Sequence, residues 1–298
     1  MSSVKLQFSG HDSFVCKHLW LKKGYDYLLE NKSFSSEAAV VDLGVGKNMV
    51  NSISFWLKSF GLIDDKGKPN ELAQFLFSKR AGVDPYLENL GTIWLLHYKL
   101  IQTNKASIYN LVFNQFRKGR PEFTKEQLLT FVKRLLDAER LKGFNANTVN
   151  TDIGVFFRSY LKPYYKESKI DIEEDFSSLL IDLDLISTHK AENAEGKLVD
   201  WYRIENKAQV DLPAEVVLFS ILDNPSYGKS ISFKDLLSGY NSPGMVFALN
   251  EEGLLSKIEG ITSRYKGITF TESAGVRELQ FRRTINKYDV LNGYYNQK

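Results

Sequence analysis

A single cysteine, Cys16, occurs among 298 residues, so no intramolecular disulfide can form. That usage suits a reducing compartment. No window approaches about 18 consecutive apolar residues, so no transmembrane helix and no membrane partner are expected. The first residues, MSSVKLQFSGHDSF, contain no apolar signal core. The expectation is a cytoplasmic protein. Low-complexity tracts and strict short repeats are absent. A large charge excess is absent too: the formal net charge is +3 and the pI about 8.6. So mild a basicity permits nucleic acid as a partner without demanding it. The sequence also lacks the PD-(D/E)XK, HNH, GIY-YIG and HKD signatures of nucleases.

What is present is ordinary globular material, 43% hydrophobic and 25% charged. Its length allows two or three domains. Aromatic residues make up 13%, and most of those rings are expected in the core. The most informative stretch runs from Asp42 to Ile63, DLGVGKNMVNSISFWLKSFGLI. Gly44 and Gly46 break the chain, and a helix is predicted from Lys47 to Phe60. Met49, Ile53, Trp56, Leu57 and Phe60 recur at helical spacing and form its apolar stripe. Asn48, Asn51, Ser52 and Phe55 fall on the other face, with Lys58 near its edge. Gly61 stops the helix as a left-handed cap does. A helix, a tight turn and this second helix make a helix-turn-helix. Asn can bond two edges of an adenine, and Lys47 and Lys58 can neutralise phosphate. The competing reading is a helix hairpin with a solvated polar face.

Around this stretch, a helix is predicted from Phe14 to Glu30, capped by Asp12 or Ser13. Asp12 is either that cap or a carboxylate able to bind a hard cation. The turn Asp64–Pro69 reads as a small wing carrying Lys66 and Lys68, and a helix resumes at Glu71. Asp84–Phe116 reads as helical, with His97 a hydrogen-bonded core residue. Thr124-Lys125-Glu126-Gln127 resembles a capping box at the start of another helix. A second helix-turn-helix follows, with Lys142-Gly143 in its turn. Its second helix holds Val149, Ile153, Phe156 and Tyr160 on one side, and Asn150, Asp152 and Arg158 elsewhere.

Charge is unevenly distributed. Between Lys105 and Lys169 bases outnumber acids by roughly two to one, a pattern compatible with a phosphate-facing surface. Arg117, Lys118 and Arg120 form a basic turn there. The sign reverses over 171–200, which reads as an acidic connector. Beyond it, Trp201–Ile204 alternates like a strand. Helices are predicted over Leu212–Asp223, Ile231–Leu237 and Met245–Glu252, then a hairpin turning at Ala274-Gly275.

The expected fold is mainly α, with multiple winged-helix or helix-turn-helix-like modules and small β-hairpins. Its parts are an N-terminal winged-helix-like domain (1–82), a basic helical domain (83–170), the connector (171–200) and a C-terminal winged-helix-like domain (201–298).

Two N-terminal words, GHDSFVCKHLWLKKGYDYL and VVDLGVGKNMVNSISFWLKSFGLI, resemble the SspB-like family. That bacterial family was long filed as a domain of unknown function and is tied to DNA phosphorothioation and antiviral defence. The resemblance extends over most of the chain. It implies double-stranded DNA as a ligand, with magnesium-dependent nicking of one strand as an activity and no organic cofactor. It also implies partners resembling a cysteine desulfurase, an ATPase and an ATP pyrophosphatase-like sulfur transferase. Cleaving a phosphodiester with a metal needs converging carboxylates and a base. Asp12, Asp42 and Asp152 are the acids nearest the family-like words, but they lie far apart in sequence. Histidine changes charge near neutral pH, so His11 can serve as the base. The candidate catalytic residues are therefore His11, Asp12 and Asp152, with Asp12 and Asp152 as metal ligands. The candidate DNA contacts are Lys47, Asn48, Asn51, Lys58, Arg117, Lys118, Arg120, Asn150 and Arg158. The alternatives are a non-enzymatic recognition subunit or transcription factor, and a protein-interaction scaffold.

Overall fold

The computed structural model describes residues 6–138, 145–162, 178–193 and 195–297. The protein is mainly helical, with two small antiparallel sheets of three strands each. The chain divides into two units, one comprising Met1–Asn89 with Lys99–Ile204, the other Leu90–Tyr98 with Glu205–Lys298. Residues 1–82 and most of 83–170 fall in the first unit, while Leu90–Tyr98 fall in the second. No helix among the described residues is long and apolar enough to cross a membrane.

The first unit begins with α1 (Trp20–Leu29), α2 (Ala39–Leu43) and α3 (Lys47–Ser59). Gly24 sets how closely α1 approaches α3: a Cβ there would lie 2.7 Å from both Ile53 Cγ2 and Leu57 Cδ1. Val50, Ile53, Trp56, Leu57 and Phe60 are buried, whereas Met49 is half-exposed. Each large apolar side chain removed from water contributes roughly 1.5–3 kcal/mol. Ser52 and Phe55, expected on the open face, are buried as well. The segment before α1 covers them, so α3 is enclosed on two sides. That segment also corrects the expected start of α1. Asp12 and Ser13 cap nothing, and the helix begins only at Trp20, without a side-chain cap. Gly61 takes the left-handed conformation, with φ of 62°, and ends α3 as its composition implies. Ile63 and Pro69 then form a single bridge around the Asp64–Lys68 turn. Next comes α4 (Glu71–Phe77), capped by Asn70.

The long helix expected over Asp84–Phe116 is broken at Asn104, whose φ is 54°. It becomes α5 (Leu90–Thr103), α6 (Ser107–Leu111), a π-helical turn (Val112–Phe116) and the short α7 (Arg117–Gly119). Strand β1 (Glu122–Thr124) leads into α8 (Lys125–Ala138). The capping box is present: Thr124 and Gln127 each donate a backbone N–H to the other's side-chain oxygen, at 3.1 and 3.3 Å. Lys142-Gly143 lies outside the described residues. Helix α9 (Ala146–Tyr160) buries Val149, Ile153, Phe156, Phe157 and Tyr160.

The described part of the acidic connector is ordered. Leu179, Leu180, Ile181, Leu183, Leu185 and Ile186 are all buried, which anchors the segment. It continues into β2 (Ser187–Glu192), and the chain returns as β3 (Leu198–Arg203). The sheet order is β1-β3-β2, with Phe123 opposite Tyr202 and Thr124 opposite Trp201. Among the described acids, Asp182 and Asp184 are exposed in this apolar lead-in, and Glu192, Glu195 and Asp200 are exposed in the hairpin.

The second unit holds α10 (Ala214–Asp223), β4 (Ser230–Ser232), α11 (Phe233–Ser238), α12 (Pro243–Val246) and α13 (Glu251–Arg264). Strands β5 (Ile268–Ser273) and β6 (Val276–Phe281) follow, then α14 (Lys287–Tyr295). The β5–β6 turn falls at Ala274 and Gly275, both with positive φ. The sheet order is β4-β6-β5. Helices α13 and α14 were not expected from the sequence, nor was β4. Side-chain oxygens of Ser232, Ser242, Asn250 and Asn286 cap α11, α12, α13 and α14. His97 is fully buried, with Nε2 2.8 Å from the Val246 carbonyl, as a core histidine should be.

Candidate functional site

The site is built on a strap over α3. Ser9, Gly10, Asp12 and Ser13 all take positive φ, at 66°, 107°, 44° and 71°. Three of them carry side chains, and each such residue costs about 1–3 kcal/mol. Only a surrounding that fixes the strap at many points can hold it so. Gly10 lies directly on Phe55, where an added Cβ would come within 2.5 Å of Cδ2. Ser52 Oγ donates to the His11 carbonyl at 3.1 Å, and Trp56 Nε1 to the Phe14 carbonyl at 3.2 Å. The His11 ring stacks on Trp56 and meets Phe55 edge-on. From α9, the Asp152 carboxylate accepts the Ser9 N–H with both oxygens, at 3.1 and 3.0 Å. Arg158, six residues further along α9, donates to the Ser13 carbonyl at 2.7 Å.

This arrangement brings His11 against Asp152. His11 Nε2 is 3.3 Å from Asp152 Oδ1, and both residues are only 2% exposed. The approach is off the line of a hydrogen bond, and neither ring nitrogen has a hydrogen-bond partner among the described residues. A buried polar atom left unsatisfied is costly and calls for an explanation. Here the ring borders a cavity of about 420 Å³. Ser9, Asp12, Ser13 and Asn48 line it from the strap and α3, and Asn145, Asn147, Thr148 and Thr151 from the start of α9. The Asn145 side chain caps α9 by accepting from Thr148 N at 2.7 Å. The residue capping α3, Gly46, has no side chain to do the same. Asn48 in the first turn of α3 and Asn147 and Thr148 in the first turn of α9 thus line one polar cavity, and helix starts are ends at which anions bind.

His11, Asp12 and Asp152, separated by up to 141 residues (152 − 11), line one cavity, and Asn48 joins them. Asp42 does not; it pairs with Lys32 at 3.2 Å. Asp152, expected as a metal ligand, is differently placed from Asp12. Its two oxygens are committed to the Ser9 amide, and its side chain is buried. Asp12 is exposed, the one carboxylate at the cavity open to a cation. Among the described residues, no cluster of three or more His, Cys, Asp or Glu side chains is disposed to hold a metal ion. Cys16 is buried, and desolvation holds its thiol well above the ordinary range, so it is a packed side chain rather than a ligand.

Of the expected DNA contacts, Lys47, Asn48, Asn51 and Lys58 are exposed on or beside α3. Lys118 and Arg120 are exposed near β1, and Asn150 and Arg158 on α9. Arg117 is corrected: it is 5% exposed, donates Nε–H to the Phe113 carbonyl and packs over the Phe113 ring. Burial pushes its guanidinium down to about 10. Ser9, Gly10, Asn145, Asn147, Thr148 and Thr151 were missed. Asn145, three residues before Thr148, was legible as a cap, but its meeting with the strap was not.

Residues 8–295 match the family described as "Protein of unknown function (DUF4007)". The chain belongs to that family. The DUF4007 match spans both units of the fold. Two solved structures share that fold, described as "Magnesium ion-bound SspB crystal structure" and "SspB crystal structure". Their TM-scores are 0.80 and 0.79; each is 24% identical and covers 97% of this chain and 88% of its own. No curated protein matches the sequence.

Proposed function

We propose that this protein is a DNA-binding component of a bacterial phosphorothioation or related defence system, and that the strap cavity is where it acts on a DNA strand. The observation that carries the reading is the buried His11–Asp152 pair beside exposed Asp12, at the starts of two helices. The winged-helix part of the reading is supported by connectivity. In the first unit the order is β1-α8-α9-β2-β3 and the sheet is β1-β3-β2. In the second it is β4-α11-α12-α13-β5-β6, and the sheet is β4-β6-β5. Both orders are those of a winged helix, in which a helix before the hairpin reads DNA and the hairpin is the wing. In this reading Asn150 and Arg158, both exposed on α9, face the DNA. The phosphorothioation setting rests on the SspB-like words and the shared fold. The partners that come with it are the desulfurase-, ATPase- and sulfur-transferase-like proteins.

In this reading the helix starts and Asn48 bind the phosphate, and Asp152 is a positioning residue. Its carboxylate lies beside His11 Nε2 and accepts the Ser9 amide, so it fixes the strap and with it the ring. His11 would serve as the base toward an attacking water. Asp12 would hold magnesium together with the DNA phosphate, and the ion would supply positive charge where the phosphoryl oxygens develop it. A recognition subunit without chemistry is the second reading, favoured by the commitment of both Asp152 oxygens to the strap.

A supercoiled-plasmid assay with magnesium or with EDTA separates them. The expected result is magnesium-dependent relaxation, lost in His11→Ala and Asp12→Asn while DNA binding persists. Binding without nicking under any divalent ion would leave the recognition subunit standing. Neither binding nor nicking would remove both.

A further inference from the structure

A second cleft, of about 790 Å³, opens between the start of α8 and the β2–β3 hairpin. It shares no residue with the strap cavity. Its aromatic side is Phe116, Phe131 and Trp201, with the two phenylalanine rings 5.0 Å apart. Trp201 is half-buried, and its ring meets no other ring among the described residues. Its Nε1 is buried and has no hydrogen-bond partner among them. Indole N–H groups in such positions normally find an acceptor. Arg120, Lys125 and Arg134 supply positive charge, and none of the three pairs with a carboxylate among the described residues.

A flat apolar face, an unmet donor and unpaired cations match the base and phosphate of a nucleotide. The cleft is not uniformly basic. Glu126, Glu195 and Asp200 also line it, and carboxylates weaken a groove meant for a bare polyanion. They suit a base with an exocyclic amino group, whose N–H they can accept. We infer that this cleft binds one nucleotide with an amino-bearing base, its ring on Trp201 and its phosphate toward Arg120 and Arg134. Such a nucleotide can be free in solution or be a base displaced from a nucleic acid. The inference does not depend on nicking at the strap.

The test uses 2-aminopurine, whose fluorescence falls when it stacks. The full chain is titrated into 2-aminopurine riboside monophosphate, and separately into a short single strand and a duplex containing the same base. Saturable quenching in the mononucleotide arm identifies a free nucleotide; quenching only in the oligonucleotide arms identifies a displaced base. Either outcome supports the site if Arg120→Gln with Arg134→Gln weakens it by about tenfold. Trp201→Phe, which keeps a ring and removes the N–H, should weaken it about fivefold. Both variants alter exposed or half-exposed positions, and their melting curves should match the wild type. No saturable quenching in any arm overturns the inference, as does quenching that both variants leave unchanged. The plasmid assay is read on the wild type, His11→Ala and Asp12→Asn, so a failure here does not bear on it.

Discussion

Gly10 shows how one residue fixes the site. Its φ of 107° and its contact with Phe55 both require the absence of a side chain. Gly10→Ala meets a conformational cost and an overpacking cost together, so we expect a loss of about 2–4 kcal/mol in urea unfolding. The strap should also release His11, which the Ser52 hydroxyl holds only through the backbone carbonyl. Unchanged stability in Gly10→Ala would show that the strap moves freely. Ser9 differs in kind: its contribution is its backbone N–H, donated to Asp152, so its side chain can change without breaking that link.

Helix α3 has both covered and open faces. Its covered faces hold α1 and the strap, while Asn48, Asn51 and Lys58 remain exposed. Substitutions should divide accordingly. Asn51→Ala should leave the melting curve in place and weaken specific DNA binding by about 1–3 kcal/mol. Ser52→Ala should do the reverse, costing about 1 kcal/mol of stability through the lost bond to His11. Equal DNA affinity for Asn51→Ala and wild type, on the correct site, would take α3 out of the reading role. Helix α9 divides its faces within half a turn, Asn150 pointing outward and Asp152 inward.

Across the whole molecule, a net charge of +3 says little about DNA, because affinity depends on where the bases are exposed. Lys118 and Arg120 are exposed, and Arg117 between two aromatic-rich segments is not. Neutralising Lys118 and Arg120 together should flatten the salt dependence of DNA binding by about two units of slope, one for each phosphate contact. Arg117→Gln should leave the slope alone and lower the unfolding midpoint. A slope unchanged by the double variant would put this face away from DNA.

The sequence alone determined the local features. Helical spacing located α3 and α9, Thr124 and Gln127 announced a capping box, and Ala274-Gly275 announced a turn. Those features depend on residues a few positions apart, so a window of sequence contains their causes. The family-like words likewise pointed to the DUF4007 family and to the fold shared with SspB. Reading failed where the partner is distant. Ser52 and Phe55 looked like an open face because the covering strap is 40 residues away in the chain. The place of β3 at the centre of its sheet was hidden because its second partner, β1, is far upstream. His11, Asp12 and Asp152 were candidates singly, but periodicity has no means of measuring the gap between two segments. Only the packing of the strap between α3 and α9 brought them to one cavity, since burial and long-range hydrogen bonds are properties of the folded chain.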